Sequence, residues 1–241
     1  MLRRNAISSF AIGLMVAAGS QSAAASSGSA GPNWSGLFFG VQAGYEWSDA
    51  DWLFPELSLF SDPGARDSYG LDGALAGGHL TFNRQVNSFV WGIELSLRGG
   101  SVDGTTVGTL EPLYFDDSFT TRIGTHGTVT GRLGYALGDV LIYGKGGFAA
   151  GEVSFNAEIK PTPHVVAAGK KTHTGWTIGA GIDYLLTPNV AFGVQYDYIR
   201  LGGETYDMRT QGPIAGARVV AVVDDIDLHS VTARLSIKLA P

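Results

Sequence analysis

Leu37-Phe-Phe-Gly-Val-Gln-Ala-Gly-Tyr-Glu-Trp47 alternates without interruption between two kinds of side chain. Its odd positions are apolar or aromatic, and its even positions are mostly glycine or polar. An alternation of period two places the two sets on opposite faces of a β-strand. This stretch therefore predicts a strand with one apolar face and one polar face.

Seven further segments show the same alternation, and each is longer than ten residues. A strand of ~9–11 residues crosses a bilayer when it is tilted, and bacterial barrels use even numbers of strands. The segments are Gly73–Asn83, Phe89–Gly100, Thr125–Leu137, Val140–Val153, His173–Leu186, Val190–Leu201 and Leu228–Leu239.

The connections between these segments alternate between short and long. Three are tight turns at Arg84–Ser88, Gly138-Asp139 and Thr187–Asn189, and the other four are the intervals 48–72, 101–123, 154–172 and 202–227. Short turns at one end and long loops at the other are typical of outer-membrane barrels. The sequence therefore predicts an all-β fold, an eight-stranded antiparallel up-and-down transmembrane β-barrel with four long external loops.

Most charges within the predicted strands fall on the glycine-rich face. A lipid-facing Lys or Arg costs about 2–4 kcal/mol at the midplane, so we expect this face to point inward. The inward glycines are expected to leave room for bulky Arg and Lys side chains. The opposite assignment would describe a soluble lipocalin-like barrel. The residues expected to form a structural lumen charge network are Glu46, Glu94, Arg98, Arg132, Lys145, Asp183, Gln195, Asp197, Arg234 and Lys238.

Aromatic residues concentrate near the strand ends, as in the girdles that mark the two membrane surfaces. At the turn end they are predicted to be Trp34, Phe82, Phe89, Trp91, Tyr135, Tyr184 and Phe192. At the loop end they are predicted to be Tyr45, Trp47, Tyr196 and Tyr198.

Residues 1–25 have the pattern of an export signal. Arg3 and Arg4 precede the apolar stretch Phe10–Ala18, and Ala23-Ala24-Ala25 offers a cleavage site. The apolar stretch is shorter than the ~20 residues of a spanning helix, which disfavours a membrane anchor. We expect residues 26–241 to form a single exported barrel domain in the outer membrane of a Gram-negative cell.

Composition excludes several classes of function. Only 16% of residues are charged, the pI is about 5.3, and there is no Cys. Basic nucleic-acid binders, disulfide scaffolds and cysteine nucleophiles are therefore excluded. The four long intervals hold 16 of the 22 acidic residues, in runs such as Asp116-Asp117 that more often form a solvated face than a metal site. Because no catalytic motif occurs, we expect no enzyme activity, no cofactor and no metal.

Several stretches resemble a known family. Asn33–Tyr45, Phe89–Glu94, Gly127–Tyr135 and Thr174–Tyr184 are similar to small alphaproteobacterial outer-membrane proteins, the outer-membrane immunogenic or porin-family proteins of the OmpA-like group. The resemblance covers nearly all strands and none of the long intervals. It implies a surface-exposed envelope protein, with any haem-binding or adhesin role located in the loops. Leu239-Ala240-Pro241 departs from the terminal aromatic typical of such barrels, which predicts a weaker assembly signal.

Two hypotheses follow for the function. The first is a structural and surface-interaction role in the cell envelope, with acidic loops displayed outside. The alternative is a narrow porin-like small-solute channel or a loop-borne haem or ligand binder. The expected partners are outer-membrane lipid and lipopolysaccharide, the outer-membrane assembly machinery, and an external ligand or host surface reached through the loops. The oligomeric state is left open.

Overall fold

The computed structural model describes residues 32–56, 63–107, 118–159, 164–211, 216 and 218–240, so the predicted signal peptide lies outside it. Every regular element in the described part is a β-strand. The strands are β1 Gly36–Phe54, β2 Ala65–Val86, β3 Phe89–Gly100, β4 Val102–Val107, β5 Ser118–Leu137, β6 Val140–Ile159, β7 His164–Thr187, β8 Val190–Leu201, β9 Glu204–Arg209, β10 Arg218–Val223 and β11 Ile226–Ala240.

The strands form one closed antiparallel ring. β1 pairs with β2 on one side and with β11 and β10 on the other. Around the ring β2 pairs with β3, β3 and β4 pair with β5, the strands from β5 to β8 pair in chain order, β8 pairs with β11, and β9 pairs with β10. The eleven strands occupy eight positions around the ring. In three of these positions the strand is interrupted once, between β3 and β4, between β8 and β9, and between β10 and β11. The eight-stranded antiparallel barrel predicted from the sequence is thereby confirmed.

Two-residue turns close one end of the barrel. Asn87 and Gly138 each begin such a turn, with φ angles of 56° and 64°. Asn and Gly tolerate this left-handed conformation, which matches the twist of the flanking strands. The short turns therefore join the predicted pairs of strands, but the first is shorter than the predicted Arg84–Ser88, because residues 84–86 pair with β3.

Along the strands, from the turn end toward the loop end, the polarity of the inward and outward side chains is exchanged. On β1 the inward side chains are polar at Gln42 and Glu46 but apolar at Trp52 and Phe54, all of them buried. The outward side chains change in the opposite sense, from exposed Trp47 to Asp49, while the strand keeps its alternation. Below this level the outer wall is suited to lipid, and above it the outer wall is suited to water.

The strands extend well beyond the predicted spans, and this corrects the boundaries expected for the long loops. β1 and β2 occupy much of the interval 48–72, and the other three intervals likewise contain paired strand. The apolar-outward pattern that identifies a membrane strand ends where the outward face meets water. The alternation then continues with the opposite polarity, which is why the strands predicted from apolar alternation end too early.

The upper barrel is divided into two halves. Between β2 and β4 the only paired position is Asp72 with Asp103, and among the described residues no main-chain pairing joins β7 to β9. One half consists of β4, β5, β6 and the start of β7, and the other consists of β9, β10, β1 and the start of β2. A large apolar cluster that includes Trp52, Phe155 and Tyr206 packs between them. Above the lipid-facing band, the wall therefore resembles two small sheets packed on a common core.

Candidate functional site

Glu94 on β3 is the centre of a buried charge cluster in the lumen. Its Oε2 lies 2.8 Å from Nη2 of Arg234 and 3.5 Å from Nη1 of Arg132, and its Oε1 lies 2.9 Å from Nζ of Lys145. Thr81 on the neighbouring strand donates a further hydrogen bond at 3.0 Å. Because the carboxylate is fully buried, these cations take the place of the water it has lost.

Two aspartates supply the other negative charges of the cluster. Asp183 accepts from Nη2 of Arg132 at 3.0 Å, and Asp197 lies 3.0 Å from Nζ of Lys145 and pairs with Arg98. Side chains of the charged members are at most 8% exposed. Three carboxylates and four cations therefore form one dry network across the lumen.

Gln195 and Tyr143 link the ion pairs of Asp197 to those of Glu94. Nε2 of Gln195 donates to Asp197 at 2.7 Å, and its carbonyl oxygen accepts from Tyr143 at 2.9 Å and from Arg234. The guanidinium of Arg132 also lies 3.7 Å from the centre of the Tyr143 ring. Tyr143 was not among the predicted members, although its odd number places it on the same face of β6 as Lys145.

The structure brings together eight of the ten predicted lumen residues and separates two. Lys238 lies four residues beyond Arg234, about 13 Å along a strand, and donates to the carbonyl of Asn33 at the turn end. Glu46 lies above the network, with its Oε2 3.3 Å from Nε2 of His126. Both residues share the inward face with the network but occupy other levels of the lumen.

Apolar side chains close the lumen on either side of the network. At the turn end a buried cluster includes Trp34, Phe38, Leu141 and Leu185. At the other end the large cluster around Trp52 fills the upper barrel. The polar layer is therefore held between two apolar plugs.

Trp34 corrects one prediction for the aromatic girdle. Its side chain is only 1% exposed, and its indole N–H points to the carbonyl of Gly138 at 3.4 Å. Trp34 has the even number shared by the inward residues of β1, so it belongs to the lower plug. The other ten predicted girdle residues lie on the outer wall.

Four rings form a continuous row at the upper edge of the lipid-facing band, which we call the aromatic row. Trp176 lies 5.4 Å from Tyr198, Tyr198 lies 5.2 Å from His229, and His229 is stacked on Trp47 at 5.7 Å. Tyr196 supports the row by a hydrogen bond of 2.8 Å to Nδ1 of His229. Trp176 was not predicted here, although it falls on the apolar face of its strand.

The outer face above the aromatic row carries mostly paired charges. Arg218 contacts Asp207 at 3.0 Å, and Lys171 contacts Glu204 at 2.9 Å. These cations hold the pKa of both Asp207 and Glu204 below the ordinary carboxyl range. The acidity expected of this region is therefore partly neutralised at the surface.

Histidine and acidic side chains do not assemble into a metal site in the described part of the chain. No group of three or more has the arrangement needed to hold an ion there. The ring nitrogens of His173 lie 2.8 Å from the carbonyl of Gly202 and 2.8 Å from the hydroxyl of Tyr206. His79 is likewise engaged with Ser236 at 2.9 Å. The hydrogen bonds of both histidines therefore tie separate strands together.

An outer wall of exposed apolar side chains around a filled polar lumen defines an integral membrane β-barrel. Among the described residues, no helix is both long enough and apolar enough to span a membrane. The family model described as "Outer membrane protein beta-barrel domain" matches residues 10–219. The chain belongs to this family, and it is an outer-membrane protein.

Curated relatives come from alphaproteobacteria. The 22 kDa outer membrane protein of Rhizobium leguminosarum bv. viciae is 29% identical over 176 residues, which cover 73% of this chain and 68% of the relative. The 31 kDa outer-membrane immunogenic protein of Brucella melitensis biotype 1 is 30% identical over 177 residues, which cover 70% and 72%. These relatives confirm the resemblance seen in the sequence.

Among solved structures, the outer membrane protease OmpT from Escherichia coli aligns with a TM-score of 0.55. The alignment covers 85% of this chain and 97% of OmpT at 10% identity. At that identity the likeness shows a shared barrel fold and nothing about activity.

Proposed function

We propose that the protein is a non-conducting structural component of the outer membrane that presents a rigid surface for interactions outside the cell. The observation that carries this proposal is the three-layered filling of the lumen. A solute would have to displace the Trp34 plug, the Glu94 network and the Trp52 cluster in turn. An eight-stranded barrel has room only for its own side chains, so no bypass is available.

The interaction role rests on the part of the barrel above the lipid-facing band. Short turns face the periplasm in such barrels, so the opposite end faces outward. There the two packed halves raise charged side chains such as Arg218 and Asp207 above the membrane surface. A packed core beneath a polar exterior suits a surface that must stay folded while it contacts partners.

We propose no enzyme activity and no haem-binding role for the described residues. OmpT is a protease, but its likeness to this chain extends to the fold alone. An axial haem ligand needs an imidazole that the haem can reach, whereas the rings of His79 and His173 are buried inside the barrel and hydrogen-bonded to protein groups. A haem titration should therefore leave the Soret absorbance of free haem unchanged, and a shifted peak would contradict this statement.

Planar-bilayer recording tests the closed lumen. The purified protein, folded in lipid, should produce no discrete conductance steps under conditions in which a reconstituted general porin does. A gel run without boiling must first show a folded, faster-migrating band, so that an absence of conductance cannot be attributed to unfolded protein. Reproducible single-channel steps from the folded fraction would overturn the proposal in favour of a narrow porin.

A further inference from the structure

The aromatic row occupies only one side of the barrel. Its members lie on β7, β8, β11 and β1, and Tyr198, His229 and Trp47 are directly paired across neighbouring strands. On the opposite side, β3, β5 and β6 leave the apolar band through the small outward residues Gly99, Thr125 and Ala150. A girdle that only marks the depth of the membrane would not need this asymmetry.

The rings are available to a ligand in the membrane surface. Trp47 is 40% exposed, Trp176 is 48% exposed, and the supporting Tyr196 is 41% exposed. A hydrogen bond between Tyr196 and His229 and another of 2.7 Å from Tyr198 to Asp227 fix the edges of these three rings, on which the tryptophans pack. The row is therefore a pre-arranged apolar platform with hydrogen-bonding groups along its border.

A polar hollow of about 760 Å³ lies directly above this platform. Asp227 and Arg200 line it, and each is two residues along its strand from a member of the row, about 7 Å away. Asp51, Glu204, Asp224 and Asp225 complete the carboxylates around it. Arg200 contacts Asp225 and Asp227, Lys171 contacts Glu204, and Arg66 lies 3.8 Å from Asp224. The five carboxylates exceed these three cations by two, so the hollow accepts hydrogen-bond donors and disfavours anions.

We propose that the aromatic row and the hollow above it bind the sugar portion of lipopolysaccharide in the outer leaflet. A pyranose ring has an apolar C–H face that can lie against an aromatic ring, and hydroxyl groups that can donate to carboxylates. At the level of the row, the outward side chains change from apolar Trp47 to charged Asp49. The headgroup sugars of an outer-leaflet glycolipid lie at this boundary between hydrocarbon and water. The excess of carboxylates favours a sugar over a phosphate. This inference rests on the outward orientation in the proposed function, but not on a closed lumen.

The test compares thermal stability in vesicles of three compositions. These are phosphatidylglycerol alone, phosphatidylglycerol with lipopolysaccharide, and phosphatidylglycerol with a phosphate-free galactosyl diacylglycerol. The midpoint is the temperature at which the folded band converts to the unfolded band on an SDS gel. We expect each sugar-bearing lipid to raise the midpoint by about 5 °C, a shift typical of a bound ligand in a chain of this size.

The double variant Trp47→Ala/His229→Ala should lose most of that rise, and Trp47→Leu is the milder variant if the first does not fold. The matched control is Phe89→Ala/Tyr135→Ala, which removes a ring pair 5.3 Å apart at the turn end and should keep the full rise. A full rise in the row variants, or none in the wild type, would overturn the proposal. A rise with lipopolysaccharide but not with the galactolipid would overturn the assignment to sugar. Channel activity in the bilayer experiment would leave this result unaffected, so the two proposals can fail separately.

Discussion

Glu94 joins three cationic side chains inside the barrel, and its removal takes a shared partner from all three. Glu94→Ala should lower the free energy of unfolding by about 3–5 kcal/mol, because Arg132, Lys145 and Arg234 would keep their buried charges without their shared partner. Urea titration of the lipid-reconstituted protein, followed by tryptophan fluorescence, measures the change.

Glu152→Ala is the matched control for this substitution. Glu152 contacts Lys170 at 2.7 Å, but the two side chains are 41% and 63% exposed to water. An exposed pair contributes about 0–1 kcal/mol, so the control should unfold almost as the wild type does. Equal losses in the two variants would refute the idea that the lumen network is a paired, dry cluster.

Asp225, between β10 and β11, binds the junction of β8 and β9, and this contact should make thermal stability depend on pH. The Gly203 amide donates to it at 2.9 Å and Arg200 at 3.0 Å, and these contacts hold its pKa below the ordinary range. A lowered carboxyl pKa stabilises the fold above the unfolded value of about 3.9, and this contribution is lost as the pH falls through the folded value. Asp225→Asn should therefore melt slightly below the wild type at pH 7, and the gap should narrow below pH ~4. If the difference in melting temperature stayed constant with pH, the effect would come from the shape of the side chain and not from its charge.

At the scale of the strands, inward glycines make room for particular side chains. A Cβ at Gly181 on β7 would overlap the Tyr143 hydroxyl, and one at Gly193 on β8 would overlap the carboxylate of Asp183. The sequence explained such glycines by space for Arg and Lys, whereas these two clear space for a tyrosine and an aspartate. The strands are thus matched in pairs, with a large residue on one opposite a glycine on the next.

Gly181→Ala should destabilise the barrel by about 1–3 kcal/mol, the usual cost of overpacking a filled interior. It would also shift the Tyr143 hydroxyl away from Gln195. Gly131→Ala on the outer wall is the control, because the nearest atom to its new Cβ is 4.0 Å away. The two variants are compared by urea unfolding in the same lipid, and a neutral Gly181→Ala would contradict the tight match.

The sequence could predict the lipid-facing part of each strand because alternation and hydropathy agree there. At Phe39 and Val41 an outward position is also an apolar one, so both signals give the same face. Above Trp47 the two signals disagree, and inward Trp52 resembles an outward girdle residue. Hydropathy alone then fails, although the unchanged parity of the strand carries the correct answer.

Candidate-site residues follow the same rule. Parity would have placed Tyr143 with Lys145 and Trp34 with Phe38, and the structure agrees with parity in both cases. Parity could not separate Lys238 or Glu46 from the network, because the level of a residue in the lumen depends on the stagger between strands. That stagger becomes visible only when the ring closes between β1 and β11.

At the scale of the whole molecule, the barrel consists of two parts that are stabilised differently. The lower part faces lipid and has a charged interior, and the upper part faces water and has an apolar interior. The parts share continuous strands such as β1 and β6, but the two lines of missing pairing lie only in the upper part. The upper part should therefore loosen first when its core is weakened.

Trp52→Ala tests this order. The indole is 2% exposed, packs 4.4 Å from the Phe155 ring and donates to Thr121 at 3.1 Å, so its loss should cost about 3–5 kcal/mol locally. Limited proteolysis of lipid-reconstituted protein should then cut within β1 above Ser48 or within β9 and β10, while the lower barrel keeps its folded gel mobility. The control Trp91→Ala, on the outer wall of the lower barrel, should leave the upper part resistant. If Trp52→Ala unfolded both parts together, the barrel would be a single cooperative unit, because continuous strands would then transmit the loss of the upper core to the charge network below.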